Sequence, residues 1–127
     1  MATGTIKKYM SGIDTGWQVN KGVDGDSKTF TGNIYYRKQG NIVFIRAYGV
    51  KSKTDIAARS YIELMQLPSG FRPGDSTGTS AMTNDNIGGI RVFPVLISGG
   101  GQIYVYANDI VLPSSAKINF SFVYSAD

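Results

Sequence analysis

Leu67-Pro68-Ser69-Gly70-Phe71-Arg72-Pro73 places four backbone restrictions in seven residues. Pro68 fixes its own φ and drives Leu67 out of the α region, Gly70 has access to positive φ, and Pro73 forbids helix at Arg72. Such a segment turns the chain sharply and then holds still. Leu67 and Phe71 read as apolar pins that fasten this corner to a core. Arg72 reads as a clamp whose guanidinium donors satisfy carbonyls that irregular backbone leaves unpaired. On both sides of the corner the chain reads as alternating β-strands.

Upstream, residues 30–37 and 41–50 flank Lys38-Gln39-Gly40 and form an expected hairpin. In the second run Ile42, Phe44, Arg46, Tyr48 and Val50 share one face, and Val43, Ile45, Ala47 and Gly49 share the other. Both faces are largely apolar. In a small antiparallel domain this implies that a second surface is covered, most simply by a neighbouring subunit. Residues 15–20 give a short first strand. Its Trp17, the only tryptophan, reads as a core or rim anchor, with a sugar-stacking platform as the alternative. Asp24-Gly25-Asp26 resembles the start of a calcium loop, but Tyr35 stands where the bidentate Glu of an EF-hand belongs, so residues 21–28 read as an exposed turn. Residues 51–60 read as a long loop. Residues 61–67 follow as a strand with Tyr61, Glu63, Met65 and Leu67 on one side and Ile62, Leu64 and Gln66 on the other.

Downstream, residues 74–78 read as a loop, 79–83 as a short strand and Asn84-Asp85-Asn86 as a polar tip. Residues 89–98 form a second long apolar run, in which Pro94 removes a ladder donor and puts the strand at an edge or a bulge. Gly99-Gly100-Gly101 reverses the chain into residues 102–107, and residues 117–124 alternate with Ile118, Phe120, Phe122 and Tyr124 inward. The expected fold is all-β, an antiparallel β-sandwich or barrel of jelly-roll type with about eight or nine strands. Residues 1–14 are expected as an arm or linker and residues 15–127 as a single domain.

Composition narrows the function. The 127 residues suit one domain, and a charged fraction of 17% leaves few groups to cover the outside, so part of the surface is expected to meet another protein chain. The absence of cysteine removes disulfides and thiolates, and the absence of histidine removes the commonest general base and most transition-metal sites. Glu63, the only glutamate, would need a carboxylate partner to hydrolyse a glycoside. The expectation is a protein that is not an enzyme, without cofactor or metal. Thirteen basic residues give a net charge of +4 but are scattered, with Lys7-Lys8 and Arg37-Lys38 the only adjacent pairs, so nucleic acid is not an expected partner. Residues 1–10 hold no apolar run, so neither a signal peptide nor membrane insertion is expected.

Four motifs occur in a characteristic order: Thr15-Gly16-Trp17; Tyr36-Arg37-Lys38-Gln39-Gly40-Asn41-Ile42-Val43 running on to Ile45-Arg46; the corner at residues 67–73; and Ile118-Asn119-Phe120-Ser121-Phe122-Val123-Tyr124. Together they resemble the C-terminal head domain of tailed-phage tail-fibre, baseplate and minor structural proteins, over residues 15–124. The resemblance implies a homotrimeric β-sandwich head in the virion, at a fibre tip, made in the host cytoplasm and attaching to bacterial surface carbohydrate. The alternative is a structural virion component, a capsid fibre, decoration or baseplate protein that binds other virion proteins and has no host ligand. An excised head and a free-standing virion protein both remain open. The family motifs are architectural and bring no binding site with them. From the chemistry of sugars, amides and charged groups for hydroxyls and tyrosine faces for C–H patches, the candidates are Asp55, Arg59, Asn84, Asp85 and Asn86, with Tyr48, Tyr61 and Tyr104 as platforms.

Overall fold

A computed structural model describes residues 14–25, 27–83 and 91–126. Nine antiparallel strands run through them: β1 Gln18–Asn20, β2 Phe30–Thr31, β3 Ile34–Gln39, β4 Ile42–Ser52, β5 Tyr61–Gln66, β6 Thr77–Thr83, β7 Arg91–Ile97, β8 Gln102–Tyr106 and β9 Ile118–Ser125. Their order is β1-β3-β4-β9-β6-β7-β8-β5, with β2 also on β4, and the sheet curls into a nearly closed barrel. The all-β expectation therefore holds. Period-two alternation builds the core: Val43, Ile45 and Ala47 of β4, Phe93, Val95 and Ile97 of β7, Ile103 and Val105 of β8, and Ile118, Phe120 and Phe122 of β9 all point inward and are buried.

Two bulges break that alternation and correct the expected faces. In β4 the register against β9 shifts between Ala47 and Val50. Gly49 sits there at φ +63, and its N–H donates to Asn119 Oδ1 at 2.8 Å. Val50 is thereby turned inward with Val43, Ile45 and Ala47, away from Tyr48. In β5 a shift between Glu63 and Met65 buries Leu64 and Met65 in succession. Met65 and Leu67 therefore face the core, while Tyr61 and Glu63 face out.

Residues 30–37 make two strands instead of one. Gly32, at φ +99, separates β2, which pairs with the far end of β4 through Phe30↔Ser52, from β3, which pairs with its near end. This second pairing carries β4 to Ser52, into the segment expected as loop. The β5 end of the sheet is tied to the segment before β2 through side chains: Ser27 Oγ and Thr29 Oγ1 donate to the Leu64 carbonyl at the β5 bulge, at 3.0 and 2.7 Å. Pro94 lies on β7 between β6 and β8, so the strand is not at an edge throughout. However, β8 is in register with β7 only from Val95 onward, so Pro94 stands where the ladder on that side ends and no donor is missed.

The corner behaves as its sequence dictates. Leu67 is fully buried, Phe71 packs on the core, and Gly70 adopts φ +96. Arg72 Nε donates to the Leu67 carbonyl at 2.9 Å, and Leu67 N–H donates to the Gly101 carbonyl at 2.9 Å. From the last strand, the Tyr124 hydroxyl donates to the Phe71 carbonyl. The ring of Phe71 meets Tyr36 edge-on at 4.9 Å.

Candidate functional site

Antiparallel pairing of β5 with β8 sets Tyr61 opposite Tyr106 and Glu63 opposite Tyr104. Outward-pointing positions on two neighbouring strands are thus occupied by three phenols and one carboxylate. The rings form one cluster: Tyr61 meets Tyr104 edge-on at 5.5 Å and Tyr106 at 5.1 Å, and Tyr104 lies 6.4 Å from Tyr106. Tyr61 remains 60% exposed. The Tyr104 phenol is held above its usual range, first by desolvation in the cluster and then by the negative charge of Glu63. Glu63 thus stands across the strand pair from a phenol, and the cluster presents flat apolar faces rimmed by hydroxyls and one carboxylate.

The loop before β5 adds a wall. A paired bridge between Ile56 and Leu112 fixes it, with N–H to carbonyl distances of 2.9 Å in both directions. Asp55 Oδ1 accepts the Ser114 N–H at 2.7 Å. A shallow hollow of ≈ 270 Å³, lined by Asp55, Ser60 and Tyr61 among others, opens between this loop and the cluster. Arg59 adopts φ +61, with its Nε 3.4 Å from Asp109 Oδ1 at a fully open position. Beyond Tyr106 lies a wider recess of ≈ 630 Å³ bounded by Ser80, Pro94 and Asn108.

Of the sequence candidates, Asp55, Tyr61 and Tyr104 come together here, with Arg59 at the margin of the same loop. Tyr48 does not join them. It stands on β4, where the Arg46 guanidinium lies 5.0 Å from its ring centre, and Arg46 in turn lies 5.9 Å from the ring of Trp17. Asn84, Asp85 and Asn86 lie outside the described residues, as does Asp26 of the calcium-loop motif. Sequence reasoning missed Tyr106 as a platform, and it weighed Glu63 only as a hydrolase acid. Alternation of Tyr61 with Glu63 and of Tyr104 with Tyr106 was visible, but not that the two strands are neighbours.

No protein-family model matches the sequence, and no curated protein matches it. A solved structure similar to this chain is the head domain of phage bIL170, described among the receptor-binding domains of lactococcal phages. The two share 15% sequence identity and superpose with a TM-score of 0.70, over 88% of this chain and 98% of that one. The chain therefore has the fold of a lactococcal phage receptor-binding head domain.

Proposed function

We propose that residues 15–127 are the head of a phage receptor-binding protein, which attaches the virion to carbohydrate on the bacterial surface as a homotrimer and is not an enzyme. Residues 1–14 serve as the arm or linker into it. The observation that carries this reading is the fold, matched along almost the full length of a phage receptor-binding head. The Tyr61–Tyr104–Tyr106 cluster with Glu63 and Asp55 supports the carbohydrate part, because a sugar needs both an apolar face and hydrogen-bonding groups beside it.

The trimer draws support from two outward apolar patches. Phe44 faces Val123 across the β4–β9 pair, with Ile42 next to them, and Met82 faces Val92 across β6–β7. Val123 is 67% and Val92 53% exposed, more apolar surface than an isolated strand position needs to show. Light scattering coupled to size exclusion should give three times the 13.7 kDa chain mass. The fluorescently tagged domain should bind lactococcal cells and their purified wall polysaccharide saturably, and a variant with Tyr61→Ala and Glu63→Gln should lose at least tenfold in affinity. Binding to other virion proteins without binding to any cell would replace this reading with a structural virion component. A monomer that binds neither would defeat both.

A further inference from the structure

We propose a second binding site, formed by Trp17, Tyr35, Arg46 and Tyr48, for a sugar ring that carries an acidic substituent, a carboxylate or a phosphate. The β3–β4 register sets Tyr35 directly opposite Arg46, and Tyr48 follows on the same outward face of β4. Trp17, just before β1, leans over this row and leaves 46% of its surface open. Trp17, Tyr35 and Arg46 line a hollow of ≈ 250 Å³. This is below the roughly 300–1,000 Å³ of sites that take drug-sized ligands, and fits one saccharide unit.

Charge decides the ligand class. Two guanidinium groups flank Trp17, those of Arg37 and Arg46, each 5.9 Å from its ring centre. They differ in what else they touch. Both oxygens of Asp14 are taken up by Arg37, at 3.1 and 2.7 Å, and Gln39 adds a contact at 3.2 Å, so Arg37 is already paired. Arg46 has only the two ring faces of Trp17 and Tyr48; among the described residues no carboxylate or carbonyl accepts from it. The rings pack against the guanidinium without accepting in-plane N–H hydrogen bonds, so its donors stay available to a carboxylate or phosphate. A cation–π contact at an open site contributes only about 0.5–1 kcal/mol, so packing does not use up the capacity of this arginine. Indole and phenol faces beside the fork give the sugar ring its apolar contact. Nucleic acid would instead require a stripe of basic groups, which the scattered lysines and arginines do not provide.

This site is argued from its own geometry and does not rest on the receptor reading. Its test uses small soluble probes and no cells, so the two can fail separately. Trp17 is the only tryptophan, and its emission therefore reports on this site directly. The full chain is titrated with glucuronate, glucose 6-phosphate, glucose and inorganic phosphate. The expected result is a saturable change with at least one acidic sugar at about tenfold lower concentration than with glucose or phosphate, the worth of one charge-assisted contact. Which acidic sugar acts tells carboxylate from phosphate. Raised salt should weaken that response and not the response to glucose. Arg46→Gln should abolish the preference for the acidic sugar, and Arg46→Lys, which keeps charge without the planar stack, should retain part of it. Equal responses to glucose and the acidic sugars, an unaltered preference in Arg46→Gln, or a silent Trp17 at tens of millimolar acidic sugar would each overturn the proposal.

Discussion

Replacing Tyr124 with Phe removes one oxygen and keeps the ring, including its edge contact with Phe122 at 6.5 Å. What is lost is the hydrogen bond from the last strand to the Phe71 carbonyl inside the corner. Because the site is half-buried, water replaces that donor poorly. The cost is then the net worth of a hydrogen bond plus part of the desolvation of the orphaned carbonyl, about 1–2 kcal/mol. For a domain of this size that corresponds to a fall in melting temperature of roughly 3–8 °C. Urea unfolding followed by far-UV circular dichroism measures it, and the slope with urea should not change, since the surface exposed on unfolding is the same. A pH series supplies an internal control. Burial raises the Tyr124 phenol well above its usual value in the folded state. Its stabilisation is therefore complete below about pH 10, where the unfolded phenol titrates, and is lost as pH rises further, so the gap between wild type and Tyr124→Phe should narrow in alkali. A loss below about 0.5 kcal/mol at neutral pH would refute the reasoning. The corner would then be held by its prolines and its buried Leu67 and Phe71 alone.

Arg59 is a non-glycine residue at φ +61 whose ion pair with Asp109 is fully open, so Arg59→Gly should raise stability by about 1 kcal/mol in the same urea assay; no gain would mean that the loop carries no strain. Ser27→Ala and Thr29→Val should each cost little while the other hydroxyl still serves the Leu64 carbonyl, and the double variant should cost about 1–3 kcal/mol, more than the sum of the singles. Additive singles would show that the two hydroxyls do not share the barrel closure. The hydrogen bond from Arg37, aided by those from Gly16 N–H and Gln39, holds the Asp14 carboxyl well below the usual carboxylate range. Its contribution is present above about pH 4, the unfolded value, and falls away at lower pH, so thermal melts should show Asp14→Asn less stable than wild type at pH 7 and closer to it at pH 3.

The corner was legible because its restrictions are covalent and local. Pro68, Gly70 and Pro73 each act on their own or the adjacent residue, and Arg72 reaches back only five positions. The inward face of β9 was legible for a related reason, since alternation needs no knowledge of partners. Val50 and Met65 were assigned to the wrong faces because a bulge is decided across strands. Gly49 is fixed by the side chain of Asn119, and Leu64 by hydroxyls at positions 27 and 29, and no local pattern announces either contact. Strand order belongs to the same class, and with it the neighbourhood of every outward side chain.

That dependence explains why candidate residues were found more readily than candidate sites. Tyr48, Tyr61 and Tyr104 were all singled out as platforms. Pairing of β5 with β8 puts two of them beside Glu63 and Tyr106, whereas pairing of β3 with β4 gives the third to Arg46 and Trp17. The two clusters use the same aromatic faces with opposite charge, one built around a carboxylate and the other around a guanidinium, so they suit chemically different parts of a ligand. Both stand mainly on paired strands, and their geometry is set by register more than by loop conformation. The β4 bulge at Gly49 directly follows Tyr48, and the β5 bulge at Leu64 directly follows Glu63. Each bulge therefore ends the outward run on its strand and returns the next apolar residues to the core. The devices that misled a strict reading of alternation are the ones that hold the two platforms at the surface.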